Sequence, residues 1–225
     1  EIIIEYLCTL AHNFAVVLNK LVSARFEEIN INSTDLNATL AGFVRLGVDQ
    51  NEKTYYVGTL KANKLETNPL EIYEDPLKFE EVEIEFKLEP EPFHLEVSHL
   101  SVKDSARDLV ILATGQVISG RSGWEVFSEV KSDRANSGDI IAYWPPKFKK
   151  SGRSWLEKNV SNANLNNLYA AVTFGSNIKP KVAMGYSFSN AKINLVEGFP
   201  PLEQAAGKYS FYDRRFSIDV SSGYV

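Results

Sequence analysis

Three histidines, one cysteine and a run of glutamates are the residues here whose types could do acid–base, nucleophilic or metal chemistry. His94 and His99 lie five positions apart on or near one strand. Strict alternation sends them to opposite faces unless a bulge intervenes, so they make a poor metal pair and read as surface or structural side chains. His12 lies in an apolar N-terminal stretch. Glu80, Glu81, Glu83 and Glu85 invite comparison with the paired carboxylates of acid–base catalysis. Alternation instead makes Glu81, Glu83 and Glu85 the wetted face of a strand. Cys8 permits neither an intramolecular disulfide nor a multi-cysteine zinc site, and reads as a small buried apolar residue. The sequence contains no G-x-S-x-G elbow, no H-E-x-x-H and no glycine-rich phosphate loop. Asn32-Ser-Thr, Asn37-Ala-Thr and Asn159-Val-Ser match the glycosylation pattern, but such tripeptides are frequent by chance. The expectation is a chain that is not an enzyme and carries no metal or cofactor.

With no catalytic constellation to place, the elements themselves carry the reading. The chain has 225 residues, 44% hydrophobic and 24% charged, an ordinary globular composition. Its net charge of −5 argues against a sequence-blind nucleic-acid binder, which needs a basic face to displace counterions. The most apolar stretch, EIIIEYLCTLAHNFAVVLNKLV, contains Glu5, His12, Asn13 and Lys20. It therefore lacks the roughly 18 uncharged apolar residues of a membrane span, and it has no signal-peptide pattern. A first residue that is not Met, and a last run that stops in a strand, suggest a piece of a longer protein.

Residues 1–25 repeat apolar side chains every three or four positions (Ile3, Leu7, Leu10, Phe14, Val17, Leu21), which predicts a helical segment. From Phe26 the period becomes two. Leu40, Val44, Leu46 and Val48 share a face. So do Tyr56, Leu60 and Ala62, and so do Val82, Ile84, Phe86 and Leu88, with Glu81 to Glu89 alternating on the other side. Phe93, Leu95 and Val97 continue beyond Pro90-Glu91-Pro92, and DLVILATGQV is a further strand. GWEVFSEVKS reads as strand or short helix. The pattern then breaks at residues 139–160. Asp139 is expected to cap a short helix ended by Pro145-Pro146, and Ser151 to cap a second, GRSWLEKNV. Afterwards strands resume through Leu168, Ala170, Val172 and Phe174; Val182, Met184, Tyr186 and Phe188; Ala191, Ile193 and Leu195; and a final pair, Tyr209–Phe211 with Phe216–Val220, around the turn YDRR. The expected fold is mainly β with a few helices: a helical segment 1–25, then a β domain 26–225 interrupted by a helical insert at 139–160. Strands alternating this cleanly belong to an antiparallel sheet with one covered and one wet face.

Over residues 108–225 the chain resembles the AsmA-like proteins of Gram-negative envelopes. The matching elements are Trp144-Pro145, the basic linker Lys147 to Lys150, Arg153-Ser-Trp155, Asn159-Val160, then Phe199-Pro200-Pro201-Leu202 and Gly207. The resemblance implies a periplasmic segment, anchored to the inner membrane outside this chain. Its sheet curls into an elongated apolar groove that carries phospholipid toward the outer membrane. On that reading the groove is lined by Val44, Leu46, Val48, Leu60, Val82, Ile84, Phe86, Leu88, Leu168, Val172, Phe174, Val182, Met184, Phe188, Ile193, Leu195, Phe216 and Ile218. The insert, with Leu156 on the same side of its helix as Trp155, would plug Trp144 and Trp155 into the inner face. Lys147, Lys149, Lys150 and Arg153 would meet water or a lipid headgroup. The expected partners are phospholipid and other envelope proteins. The alternatives are a β-rich scaffold that pairs through its edges in outer-membrane biogenesis, and a carrier of a single lipid.

Overall fold

The computed structural model describes residues 23–32, 36–68, 73–120, 123–146, 150–176, 178–196, 198–212 and 214–225. They form a mainly β structure: one open, curled, twelve-stranded antiparallel sheet with two short helices. The strands are β1 (Ser23–Asn32), β2 (Leu36–Val48), β3 (Thr54–Thr67), β4 (Leu77–Pro90), β5 (Phe93–Asp104), β6 (Leu109–Gly120) and β7 (Gly123–Asn136). The helices α1 (Ser137–Tyr143) and α2 (Lys150–Asn159) follow. The chain then returns through β8 (Val160–Ser161), β9 (Asn164–Gly175), β10 (Ile178–Ile193), β11 (Leu202–Tyr212) and β12 (Arg215–Tyr224). Strand order follows the sequence, except that β8 lies beside β10, and β1 and β12 are the free edges.

This meander puts different chemistry at its two ends. One end holds tight turns, such as the one where Asp49 accepts hydrogen bonds from the backbone N–H of Asn51 and Lys53, both at 2.8 Å. The Lys53 amide is the largest cause of the lowered Asp49 pKa. The other end holds the longer connections: the segment before β4, the β5–β6 turn, both helices and the loop before β11. Bulges occur in the ladders between Phe26 and Ile29, around Ser98, and between Phe188 and Ala191. Glu28 and Asn190 adopt positive φ in two of them. Such bulges bend a strand and increase local twist, which is how a flat meander becomes a curled one.

Several expectations need revision. Residues 23–25 belong to β1, and the rest of the expected N-terminal helix lies outside the described residues. The insert runs from 137 to 159. Asn136 is the N-cap of α1, and Asp139 sits at the third position of a reciprocal capping box. Helix α2 begins at Lys150, before Ser151. GWEVFSEVKS lies in β7. The runs 182–188 and 191–195 are not separate strands: the bulge at Asn190 lets β10 continue to Ile193, and Leu195 lies beyond it, exposed.

The core sits in two clusters at different places on the sheet. One gathers Val44, Tyr56, Phe86, Leu88 and Phe93, with Trp124 meeting Phe93 edge-on at 5.0 Å. The other gathers Ala163, Leu165, Phe188, Ala191 and Ala205, covered by Ile140 of α1. Aromatic rings in both lie over glycine. A Cβ on Gly58 would stand 3.0 Å from the Phe86 ring, and one on Gly207 would stand 2.8 Å from the Phe188 ring, so both positions must stay bare.

Candidate functional site

Residues paired across an antiparallel ladder point to the same face. One row of partners can be followed through most of the sheet: Phe26, Gly42, Leu60, Ile84, Leu100, Ala113, Val130, Ala170, Met184, Phe211 and Phe216. Not one of them is polar. A second row, Leu46, Tyr56, Leu88, Leu95, Val117, Val126 and Phe174, runs beside it on the same face. The opposite face is charged and wet: Lys61, Glu83, Ser101, Leu112, Lys131 and Tyr169 form one of its rows. There Lys61 binds Glu81 at 2.6 Å, which holds the carboxyl below and the amine above their ordinary values.

The apolar face is only partly filled. Ile84, Leu100, Ala113, Val130, Ala170, Val172 and Met184 belong to neither packed cluster, and all remain half-buried. Among the described residues they form an uncovered band between one sealed corner under Phe93 and Trp124 and another under α1.

Of the expected lining residues, Leu60, Val82, Ile84, Leu168, Val172, Phe174, Val182 and Met184 are half-buried on their strands. Val44, Phe86, Leu88 and Phe188 are buried within the clusters rather than open to a ligand. Ile193 packs against the second cluster. Val48, at the end of β2, and Leu195 are exposed and line nothing. Phe216 and Ile218 pair with Phe211 and Tyr209 but are exposed, because β12 is an edge.

Helix α1 is held to the sheet end by a polar latch. Arg107, in the β5–β6 turn, reaches Asp104 at 3.4 Å and Asp139 at 3.6 Å; both carboxylates are buried. The Tyr143 hydroxyl donates to Asp104 at 2.6 Å, and the Tyr73 hydroxyl donates to the Tyr143 carbonyl at 2.9 Å. Phe79 stacks on Tyr143 at 6.0 Å. Burial, and then the bond to Asp104, push the Tyr143 pKa up. Sequence reasoning missed this latch, although Asn136-x-x-Asp139 is a visible capping-box signal. The latch borders a cleft of about 590 Å³. The three cations among its described lining residues are already paired, Lys78 with Glu66, Arg107 with Asp104 and Asp139, and Arg153 with Glu157.

The insert departs from expectation in its tryptophans and its arginine. Trp144 is half-buried and lies beside Gly152, whereas Trp155 is 47% exposed and does not enter the inner face; Arg153 and Leu156 of the same helix are half-buried. Arg153 binds the Trp144 carbonyl at 3.2 Å and Glu157 at 3.2 Å, joining the insert to itself. Lys150 is exposed, while Lys147 and Lys149 lie outside the described residues. The bulge at Ser98 puts His94 and His99 on the same, charged face, opposite Glu89 and Glu85. His94 meets Gln116 at 3.2 Å, and no metal-holding group occurs among the described residues.

Tyr186 and Tyr209 stack at 4.9 Å on the apolar face. Burial, helped by Tyr209, pushes Tyr186 up to about 12. A tyrosine ionising near 10 when unfolded and near 12 when folded binds more protons in the fold between those values. Its contribution is therefore complete below pH 10 and lost as the pH rises toward 12. A phenolate titration at 295 nm is expected to show late-ionising tyrosines, with melting temperature falling over the same window. Simple titration near 10 by all ten tyrosines would contradict the buried pair.

No helix among the described residues is long and apolar enough to cross a membrane, which leaves strands untested. No protein-family model, curated protein or solved structure matches this chain.

Proposed function

We propose that the uncovered band is a lipid trough and that the chain is a segment of a periplasmic conduit for phospholipid between inner and outer membranes, anchored to the inner membrane outside this segment. One observation carries the reading: a continuous row of apolar side chains, uncharged across the sheet, stays half-buried and belongs to neither packed cluster among the described residues. From Ile84 to Met184 that row crosses six adjacent strands, about 24 Å at the usual strand spacing. One leaflet's hydrocarbon depth is about 15 Å, so an acyl chain fits along it. Each methylene taken from water gains about 0.8 kcal/mol. Half-covering a chain of about fourteen methylenes gains on the order of 5 kcal/mol, enough to retain it and little enough to let it move. Apolar contact has no direction, so sliding breaks no specific bond.

Lipid extracted from the purified protein and identified by mass spectrometry tests this. Phospholipid of mixed headgroups is the expected result, because the trough offers the head no charged pocket. A single ligand species would favour the carrier alternative, and a protein that takes up no lipid would refute the proposal. Delipidation supplies a linked measurement. Occupancy at a hundred times the dissociation constant is worth about 2.7 kcal/mol, so its removal should lower the melting temperature by roughly 5–10 °C.

The scaffold reading draws on a different observation. β12 offers ten exposed residues with one unpaired side, a site suited to strand addition. Crosslinking of that edge to another envelope protein in lipid-free material would favour it.

A further inference from the structure

The loop between β10 and β11 carries Leu195, Val196 and Phe199, which are 64%, 58% and 73% exposed. Large apolar side chains this open, on a loop tip rather than on a sheet face, are not a fragment of core. The tip is stitched to α2. The Asn194 N–H donates to the Asn159 carbonyl at 2.8 Å, the Asn159 side chain donates to the Trp155 carbonyl at 2.8 Å, and Ile193 pairs with Val160. Trp155, half-exposed, thus stands one helical turn from the loop. Lys150 and Lys158 on the exposed side of α2 make no ion pair with a described residue. The carboxylates nearby are engaged: Glu157 with Arg153, and Glu203 with Lys192 at 2.7 Å. Glu197 is the single acidic residue in the loop sequence.

We propose that this end of the sheet docks on the surface of a lipid bilayer containing anionic lipid. Leu195, Val196 and Phe199 enter the acyl boundary, Trp155 sits at headgroup level, and Lys150 and Lys158 face lipid phosphates. Aliphatic and phenyl groups beside an amphipathic tryptophan and free lysines are the combination that an interface rewards. A protein partner would have to bury the lysines against acids and the loop within a pocket. A bilayer accepts both at once, with the charged groups still wet. The contact is distinct from the trough, and its test does not depend on the trough being a lipid path.

Co-sedimentation with phosphatidylcholine vesicles, with and without about 30% phosphatidylglycerol, decides it. The protein is expected to bind both, more strongly with the anionic lipid, and salt should weaken only the difference. Leu195→Ser with Phe199→Ser should reduce binding about tenfold or more, since both large apolar side chains that enter the acyl boundary are removed. Tyr212→Ser, an exposed aromatic at the opposite end of the sheet, should change nothing. Vesicles should blue-shift the tryptophan emission, and Trp155→Phe should abolish that shift. A wild-type chain that ignores vesicles, or a double variant that binds as well as wild type, overturns the proposal. Val172→Asp should dock normally whatever it does to lipid loading; loss of docking in that variant would move the contact into the trough and overturn the proposal too.

Discussion

Replacing Val172 with aspartate is expected to empty the trough while the sheet stays folded. Val172 pairs with Ser128 and Val182 near the middle of the uncovered band and belongs to neither cluster. Without lipid, a carboxylate at this half-buried position still reaches water, so the cost to folding should be about 1–2 kcal/mol. With lipid it must be desolvated against methylenes with no cation beside it. That costs several kcal/mol and corresponds to loss of loading by a hundredfold or more. Ile193→Asp should also block loading, but at greater cost to stability, because Ile193 packs against the second cluster. Glu83→Gln, opposite Lys61 and Ser101 on the wet face, should load normally. Native mass spectrometry that found undiminished lipid on a folded Val172→Asp variant would remove the trough as the binding surface.

Most strands were legible because they carry their own signature, whereas β7 was ambiguous and β10 read as two runs. Val82, Ile84, Phe86 and Leu88 alternate with Glu81 to Glu89 so regularly that both the strand and its wet face follow from β4 alone. What remained hidden depends on neighbours. The bulge at Ser98 brings His94 and His99 to one face, and nothing in the local pattern marks it, because a bulge is set by the register against β4 and β6. Alternation says which residues face inward but not how far the sheet curls. It therefore cannot separate Leu88, sealed in a corner, from Ile84, four residues away in the open band. The Arg107 latch joins residues 104–107 to 139 and 143, a tertiary meeting with only the capping box as a local hint. Trp155 was misplaced for a related reason: helical period alone does not choose which side of a short, mostly exposed helix is covered, and here Trp155 stays exposed while Arg153, Leu156 and Asn159 are half-buried.

Leu88→Ala should produce the largest loss of stability of any single truncation on the apolar face. Leu88 is 0% exposed and is the only large side chain among the described residues that is completely enclosed. It lies between Tyr56 and Leu95 in the ladder and beneath the Phe93 corner. Removing it forfeits the transfer energy and leaves a cavity that a pleated sheet, fixed by hydrogen bonds on both sides, collapses into poorly. About 3–4 kcal/mol is expected, a drop of roughly 6–16 °C in melting temperature. Ile84→Val, in the open band, should cost about 1 kcal/mol or less, since Ile84 is half-buried and packs in neither cluster of the described residues. Denaturant unfolding of lipid-free protein measures both. The contrast with Val172→Asp matters as much as the size. If the corners hold the sheet and the band holds lipid, Leu88→Ala loses stability yet loads lipid whenever it is folded, while Val172→Asp does the reverse. A Leu88→Ala protein that kept its stability and lost its lipid would show that the enclosed corner, rather than the open band, receives the acyl chain.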